Sequence, residues 1–351
     1  MERLRVLTAA LSSKVVTDSL PTGNYSIPGW PRGLYNATNF KYEESPHPST
    51  TLRVPGLTVE SFDIRWQPKL SSIMRASVLA RDCALSIPLP QSRDGNQEQA
   101  FFMDWPHFTK NFFHFVFATE FVMSRAIHDK NFKKGPMDMK FTLGNIGNSS
   151  LALVSKFSGD DGKTGASTPL WTNTVQLVAV DKTTRKPAKL PEWYRSKYKG
   201  RGCMDTGLII KQFKRPDVTY AHPSVVQWSE CGRTFKNADW TAYADWAVDA
   251  LRAALLLQTD TSYVPFSYGA PPGESPTMKA RAALRGITSD MVDNGFRKMQ
   301  AVFLSECLEG EYIETHLWQD DSGEKELVYF SVVKNGKDVC QMKIWFFSDS
   351  V

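Results

Sequence analysis

The sequence predicts an α+β fold made of two similar units, each a long apolar helix followed by antiparallel strands. Three observations lead there. An Asp-Trp pair occurs at Asp104–Trp105 and again at Asp239–Trp240. A long hydrophobic segment follows each pair, at 107–128 and 241–258. Strand-like runs separated by turn residues follow each segment. A repeat of this length indicates a duplicated domain, because solenoid periods are about 20–50 residues.

The elements follow in chain order. Residues 16–56, rich in Pro, Gly, Ser and Asn, predict an irregular N-terminal arm. The alternation of 57–66 (LTVESFDIRW) predicts a strand. Residues 69–83 place Ile73, Ala76, Leu79 and Ala80 on one helical face. Pro88, Pro90 and the polar stretch 92–99 mark a boundary. Segment 107–128 is apolar nearly all round and has no Pro or Gly, so it predicts a buried helix of about five turns. MDMKFTL, SLALVSKF and PLWTNTVQLVAV (169–180) predict strands, with turns at Gly144, Gly147 and the Asp-Asp-Gly at 160–162. Residues 182–215 carry eleven basic residues against Glu192 and Asp205 and read as a linker.

A strand near 222 then leads to 241–258, an Ala- and Leu-rich helix former. A Pro/Gly-rich excursion at 264–276 and helix-compatible sequence to about 293 come next. Four strands close the chain: RKMQAVFLSE, YIETHLWQ, ELVYFSVV and CQMKIWFF, the last two joined by an Asn-Gly hairpin signal. The implied division is an arm and extension at 1–98, a first unit at 99–181, a basic linker at 182–221 and a second unit at 222–351. One alternative stays open. FDIRWQPKLSSIMRASVLARD (62–82) also reads strand, Trp, helix and would start the first unit earlier.

Composition narrows the function classes. With 42% hydrophobic and 23% charged residues, a wholly disordered chain is excluded. A length of 351 residues suits about two domains. The net charge of +5 is too mild to argue for nucleic acid. Five Cys without a Cys-x-x-Cys pair argue against a zinc site or a disulfide framework and favour a reducing compartment. No apolar run approaches the ~18 residues of a membrane span. The first fifteen residues carry Arg3, Arg5 and Lys14 among apolar residues, a weak organelle-targeting pattern that Glu2 opposes. A cytoplasmic location is expected.

A long apolar helix wrapped by an antiparallel sheet is the hot-dog arrangement. Over about 99–347 the chain resembles double hot-dog proteins of the acyl-CoA/acyl-ACP thioesterase-like superfamily. FFMDWPHFTKNFFHFVFATEF and FKNADWTAYADWAVDALRAAL occupy the place of that family's strand-end Asp and helix-opening turn. LVAVDKTTRKPAKLPEW (177–193) resembles its last strand and Pro-rich exit. The resemblance implies a tandem hot-dog fold that binds an acyl-CoA or acyl carrier protein thioester between sheet and central helix and hydrolyses it. It implies no cofactor and no metal, and it leaves a homo-oligomer open.

The motif carries over only in part. In the second unit the family's His falls on Tyr243 and its first Asn on Asp245. In the first unit these positions are Phe108 and Lys110, while Asn111 matches the second Asn and His107 lies one position early. His114 takes the usual Tyr position, and Glu120 falls near the expected acid.

Thioester hydrolysis needs an activated water or carboxylate nucleophile, with donors aimed at the oxyanion. Asp104 and Asp239, each just before a predicted helix, could orient that water beside the helix dipole, or could simply cap the helix. His107 is the candidate general base, or an ordinary first-turn His. Asp245 is a candidate catalytic carboxylate, or a favourable N-terminal charge. Asp249 is expected to pair with Arg252 or Arg233. Tyr243, Asn111 and Phe115 are candidate substrate contacts. Lys186, Lys189 and Arg195, with Trp193, Tyr194 and Tyr198 for stacking, could hold the phosphates and adenine of CoA. A solvated connector explains the same charges.

Two other readings compete. A catalytically silent acyl-binding protein on the same fold fits the eroded motif. A hydratase or dehydratase would need Asp-x-Asn-x-x-His, which neither helix start supplies. There is no Gly-x-Ser-x-Gly for an α/β-hydrolase and no phosphate-binding Gly-rich loop.

Overall fold

The computed structural model describes residues 38–348 except 90–99, 133, 161–165, 185, 232–236, 260–274 and 322. Strands β1 (Thr38–Glu43) and β2 (Ser49–Val54) precede helix α1 (Leu70–Ser86). A short helix α2 (Trp105–Thr109) leads into β3 (Phe112–Met123), then β4 (Met137–Ile146), β5 (Ser150–Asp160) and β6 (Ser167–Asp181). Helix α3 (Glu192–Tyr198) lies in the linker, followed by β7 (Tyr220–Val225) and the long α4 (Ala242–Thr259). Helices α5 (Pro276–Ala283) and α6 (Ser289–Asp293) precede β8 (Phe296–Phe303), β9 (Tyr312–Trp318), β10 (Leu327–Lys334) and β11 (Lys337–Phe346).

The strands form one antiparallel sheet of eleven in the order β1-β2-β4-β5-β6-β3-β8-β11-β10-β9-β7. The centre is β3 against β8, registered Ala118 to Val302 and Val122 to Lys298. Both long helices lie on one face and pack against each other. Trp171 of β6 shows which face, because its indole Nε1 donates to Ser77 Oγ of α1 at 2.9 Å. On β3, Phe121 faces the same way and stacks on Trp240 just ahead of α4. Helix α4 has no Gly or Pro and buries Ala247, Ala250 and Ala254, small residues that allow close approach to its neighbours.

Three expectations are corrected. Segment 107–128 is not a helix; all but its first turn and its end is strand β3. A central strand with apolar residues on both faces reads as a continuous apolar run, as a buried helix does, even though Phe117 and Val122 stay exposed, and its Phe and Val residues favour the strand. The long helix of the first half is α1, so the earlier-starting alternative at 62–82 matches the helix position. The Asp-Trp pair at 104–105 opens only the five-residue α2, and the gapless alignment of two long helices behind the two pairs fails.

Within 38–54 the irregular arm is replaced by β1 and β2, while the targeting pattern lies outside the described residues. The strand expected at 57–66 is a 3-10 turn at Val59–Ser61. It leads to a loop in which Asp63 Oδ1 accepts the Arg65 and Gln67 N–H groups at 2.9 Å each. Gly144 is not a turn either. It sits inside β4 at a register shift, where Met204 N–H of the linker donates to its carbonyl.

The seven strands expected at 137–180 and 297–347 are present, as is the hairpin. Asn335 (φ 51°) and Gly336 (φ 76°) form its two-residue loop. The linker crosses the sheet face away from the helices. Gln176 of β6 accepts the Leu208 N–H at 2.8 Å. Gln341 of β11 accepts the Phe213 N–H at 3.0 Å and donates to the Phe213 carbonyl at 2.8 Å.

Candidate active site

Where the two long helices converge on the centre of the sheet, a cavity of about 320 Å³ opens. Its polar lining includes Arg81 and Asp82 of α1, Asp239 ahead of α4, and Ser305 and Glu306 beyond β8. Its aromatic lining includes Trp105, Phe115, Trp240, Tyr243 and Phe303, with His114 beside them.

Asp239 is set by a local network. Its N–H donates to the Glu230 carbonyl at 2.7 Å, and its Oδ1 accepts the Thr241 N–H at 2.8 Å. An Asp side chain turning back on the backbone two residues on favours a turn, and here it starts α4. Tyr243 follows in the first turn of α4. It is buried, its ring lies 5.5 Å from Phe303, and its hydroxyl reaches the Ser305 carbonyl at 3.5 Å. Burial pushes its ionisation far upward, so it stays a neutral donor.

The first helix supplies the opposite wall. Arg81 is only 11% exposed, and its Nε lies 3.8 Å from Asp82 Oδ1, an ion pair longer than a direct hydrogen bond. Burial raises the Asp82 carboxyl; Arg81 pulls it back and the Asp239 carboxylate adds to the rise. His114 on β3 lies 4.5 Å from the Trp105 ring and 4.6 Å from Phe108. Its Nε2 is buried without a hydrogen-bond partner. Burial, with Arg81 and Lys182 adding, pushes His114 down to about 3, so the ring is neutral near pH 7.

The structure brings Asp239, Tyr243 and Phe115 together and sets the other candidates elsewhere. Asp245 lies in a separate cavity of about 380 Å³ between α1 and α4. It faces Arg75 Nη2 at 3.8 Å, and burial raises its carboxyl against the pull of Ser71, Arg75 and Lys69. Asp249 shares that cavity, while Arg252 turns to Asp63 Oδ2 at 2.6 Å. Arg233 lies outside the described residues.

Asp104 stands at the N-cap position of α2 without a side-chain capping bond; its carboxylate instead accepts Lys197 Nζ at 2.7 Å and the Tyr198 hydroxyl at 2.9 Å, which ties the linker to the first half. His107 is exposed, with its ring 4.8 Å from Trp193. Asn111, exposed between α2 and β3, gives its carbonyl to the Lys182 N–H. Glu120 pairs with Lys298 at 2.8 Å. Lys186 and Lys189 are exposed, whereas Arg195 pairs with Glu192. Tyr194 and Tyr198 are buried, which leaves Trp193 alone of the three rings on the surface.

Sequence reasoning missed Arg81 and Asp82. The available signal was a charged pair late in an otherwise apolar helical stretch, in the segment that could open the first unit early.

No family model matches the chain, and no curated protein matches it. Solved structures do. A protein assigned as an oleoyl thioesterase from Lactobacillus plantarum superposes with a TM-score of 0.55 at 14% identity, covering 86% of this chain and 97% of that one. The 12:0-ACP thioesterase of Umbellularia californica gives 0.52 at 12% identity, covering 85% and 97%. An acyl-ACP thioesterase of Bacteroides thetaiotaomicron gives 0.52 at 12%, covering 85% and 98%. The chain therefore shares the hot-dog fold of these structures.

Proposed function

We propose that this chain is an acyl thioester hydrolase built of two hot-dog units, the first starting at β1, with its site in the cavity between α1 and α4. One observation carries the reading. Asp239 and Tyr243 at the opening of α4 face Arg81 and Asp82 of α1 across a single cavity.

The chemistry follows from these groups. The Asp239 carboxylate takes a proton from water, and the hydroxide attacks the thioester carbonyl carbon. Charge gathers on the carbonyl oxygen, where the sheltered Arg81 guanidinium stabilises it. The C–S bond then breaks. The thiolate leaves with a proton from a carboxyl group, and Asp82, which lines the same cavity, is placed to give it. The acyl group departs as a carboxylate.

Free-thiol release from a panel of acyl-CoA thioesters tests this. Asp239→Asn should cut kcat/KM by about 100-fold or more, the usual weight of general-base catalysis. Asp104→Asn, whose carboxylate holds the linker, should stay within about threefold, judged against the same scale. Equal losses, or no turnover by the parent on any thioester, reject the assignment.

The neutral His114 and the Tyr at the motif's His position favour a second reading, a silent acyl-binding protein. Ligand binding without thiol release would support it.

A further inference from the structure

We infer that the acyl group taken by this site is compact and ring-containing, bearing hydroxyl or oxo substituents, rather than a long saturated chain. The inference rests on the thioester reading of the cavity and names its substrate class.

Three observations converge. First, the walls are rings. Trp240 and Phe303 meet edge to face at 6.1 Å, Tyr243 and Phe303 at 5.5 Å, and Trp105 closes the side nearest His114. Rings arranged at such angles accept another flat ring by stacking or by edge contact.

Second, the lining presents polar groups as well as rings. Arg81, Asp82, Asn237, Asp239, Ser305 and Glu306 all reach the cavity. A methylene chain offers these groups nothing, and covering them without partners costs about 1–3 kcal/mol each. Hydroxyl and oxo groups on a ring would meet the Asn237 amide and the Ser305 hydroxyl, while Arg81 serves the thioester oxygen.

Third, the packing beneath the first helix is aromatic and tied down. Phe157 and Trp171 stack there at 4.3 Å with 16° between planes, and Phe102 and Phe141 lie 5.4 Å apart. Trp171 is locked to α1 through Ser77. The cavity of about 320 Å³ is near the lower end of small-molecule sites.

The test uses the full chain with four thioesters, 4-hydroxybenzoyl-, benzoyl-, octanoyl- and palmitoyl-CoA. Thiol release is measured for each, and calorimetric binding is measured for the free acids 4-hydroxybenzoate and octanoate. The expected result is a kcat/KM for 4-hydroxybenzoyl-CoA about tenfold or more above octanoyl-CoA, with palmitoyl-CoA poorest. One tenfold step corresponds to about 1.4 kcal/mol, a single satisfied polar contact.

Asn237→Leu should erase the advantage of the hydroxylated ring over benzoyl-CoA, and Asn237→Gln should restore part of it. Melting temperatures identify any variant that has merely unfolded, and the parent's own ranking decides the matter independently. Preference for octanoyl- or palmitoyl-CoA overturns the substrate class and leaves the hydrolase standing. Binding of 4-hydroxybenzoate over octanoate without any thiol release overturns the hydrolase and leaves the class standing. Failure of both acids to bind, together with no turnover, overturns both.

Discussion

His128 shows how a single side chain sets an acid limit on this protein. Its ring is 2% exposed and bridges distant segments. Nε2 lies 3.0 Å from the Phe296 carbonyl and donates to it; Nδ1 lies 3.0 Å from the Gln67 side-chain amide. A neutral ring has one N–H, so Nδ1 accepts and Gln67 presents its NH2 group, an orientation assigned from the network. Burial holds the ring down to about 4, with Lys134 and Arg125 adding and the Phe296 bond opposing. The folded value is below the unfolded one of about 6.5. The contribution is therefore present above pH 6.5 and is lost as pH falls towards 4, because the unfolded chain takes up the proton first. At about 1.4 kcal/mol per tenfold change in proton affinity, it amounts to about 3 kcal/mol. Urea midpoints from pH 7 to 4 should fall less steeply in His128→Gln than in the parent. Parallel slopes would refute it.

The candidate site was partly legible at this scale. Asp239 and Tyr243 announce themselves by their place at the start of an evident helix. Arg81 and Asp82 do not, because nothing local says that α1 will lie beside α4.

Among elements, legibility follows the pattern of burial. Strands β4 to β6 and β8 to β11 have alternation or turn punctuation, and both survive translation into structure. Strand β3 has neither. It carries apolar residues on both faces, the exposed Phe117 and Val122 included, so its sequence lacks the period that would identify it. The β10–β11 hairpin is the opposite case, since its loop chemistry fixes the register. Gly336 has φ 76°, and a Cβ added there would meet nothing within 4 Å. Gly336→Ala therefore isolates the backbone cost, about 1 kcal/mol of stability, at the low end for a left-handed non-glycine residue. Chemical denaturation measures it. A neutral result would mean that the turn changes type without loss.

At the scale of the whole molecule, the two halves share one sheet through β3 and β8, and the linker straps its far face. Gln341 binds both the N–H and the carbonyl of Phe213, as a neighbouring strand would, and Gln176 holds Leu208 further back. Gln341→Leu removes both partners from Phe213. Limited trypsin digestion should then cut faster at Lys211 and Lys214, with a stability loss of about 1–3 kcal/mol. Unchanged cleavage would show that apolar contacts alone hold the strap. The strap's path had no signature in the sequence beyond its charge, because glutamines reading a backbone look like any surface glutamines.

The seam between β3 and β8 also sets when function can arise. Asp82 and Asp239 reach one cavity only if α1 and α4 are held side by side, and the strands that join their halves are separated by about half of the chain. Closing so distant a pairing is entropically slow. During synthesis the first half can gather α1 and β3 to β6 early, but β3 keeps an unpaired edge until β8 leaves the ribosome. Through that interval the emerging polypeptide displays an apolar strand edge and half a site, which is an aggregation hazard. Competence arrives in one step, late in translation.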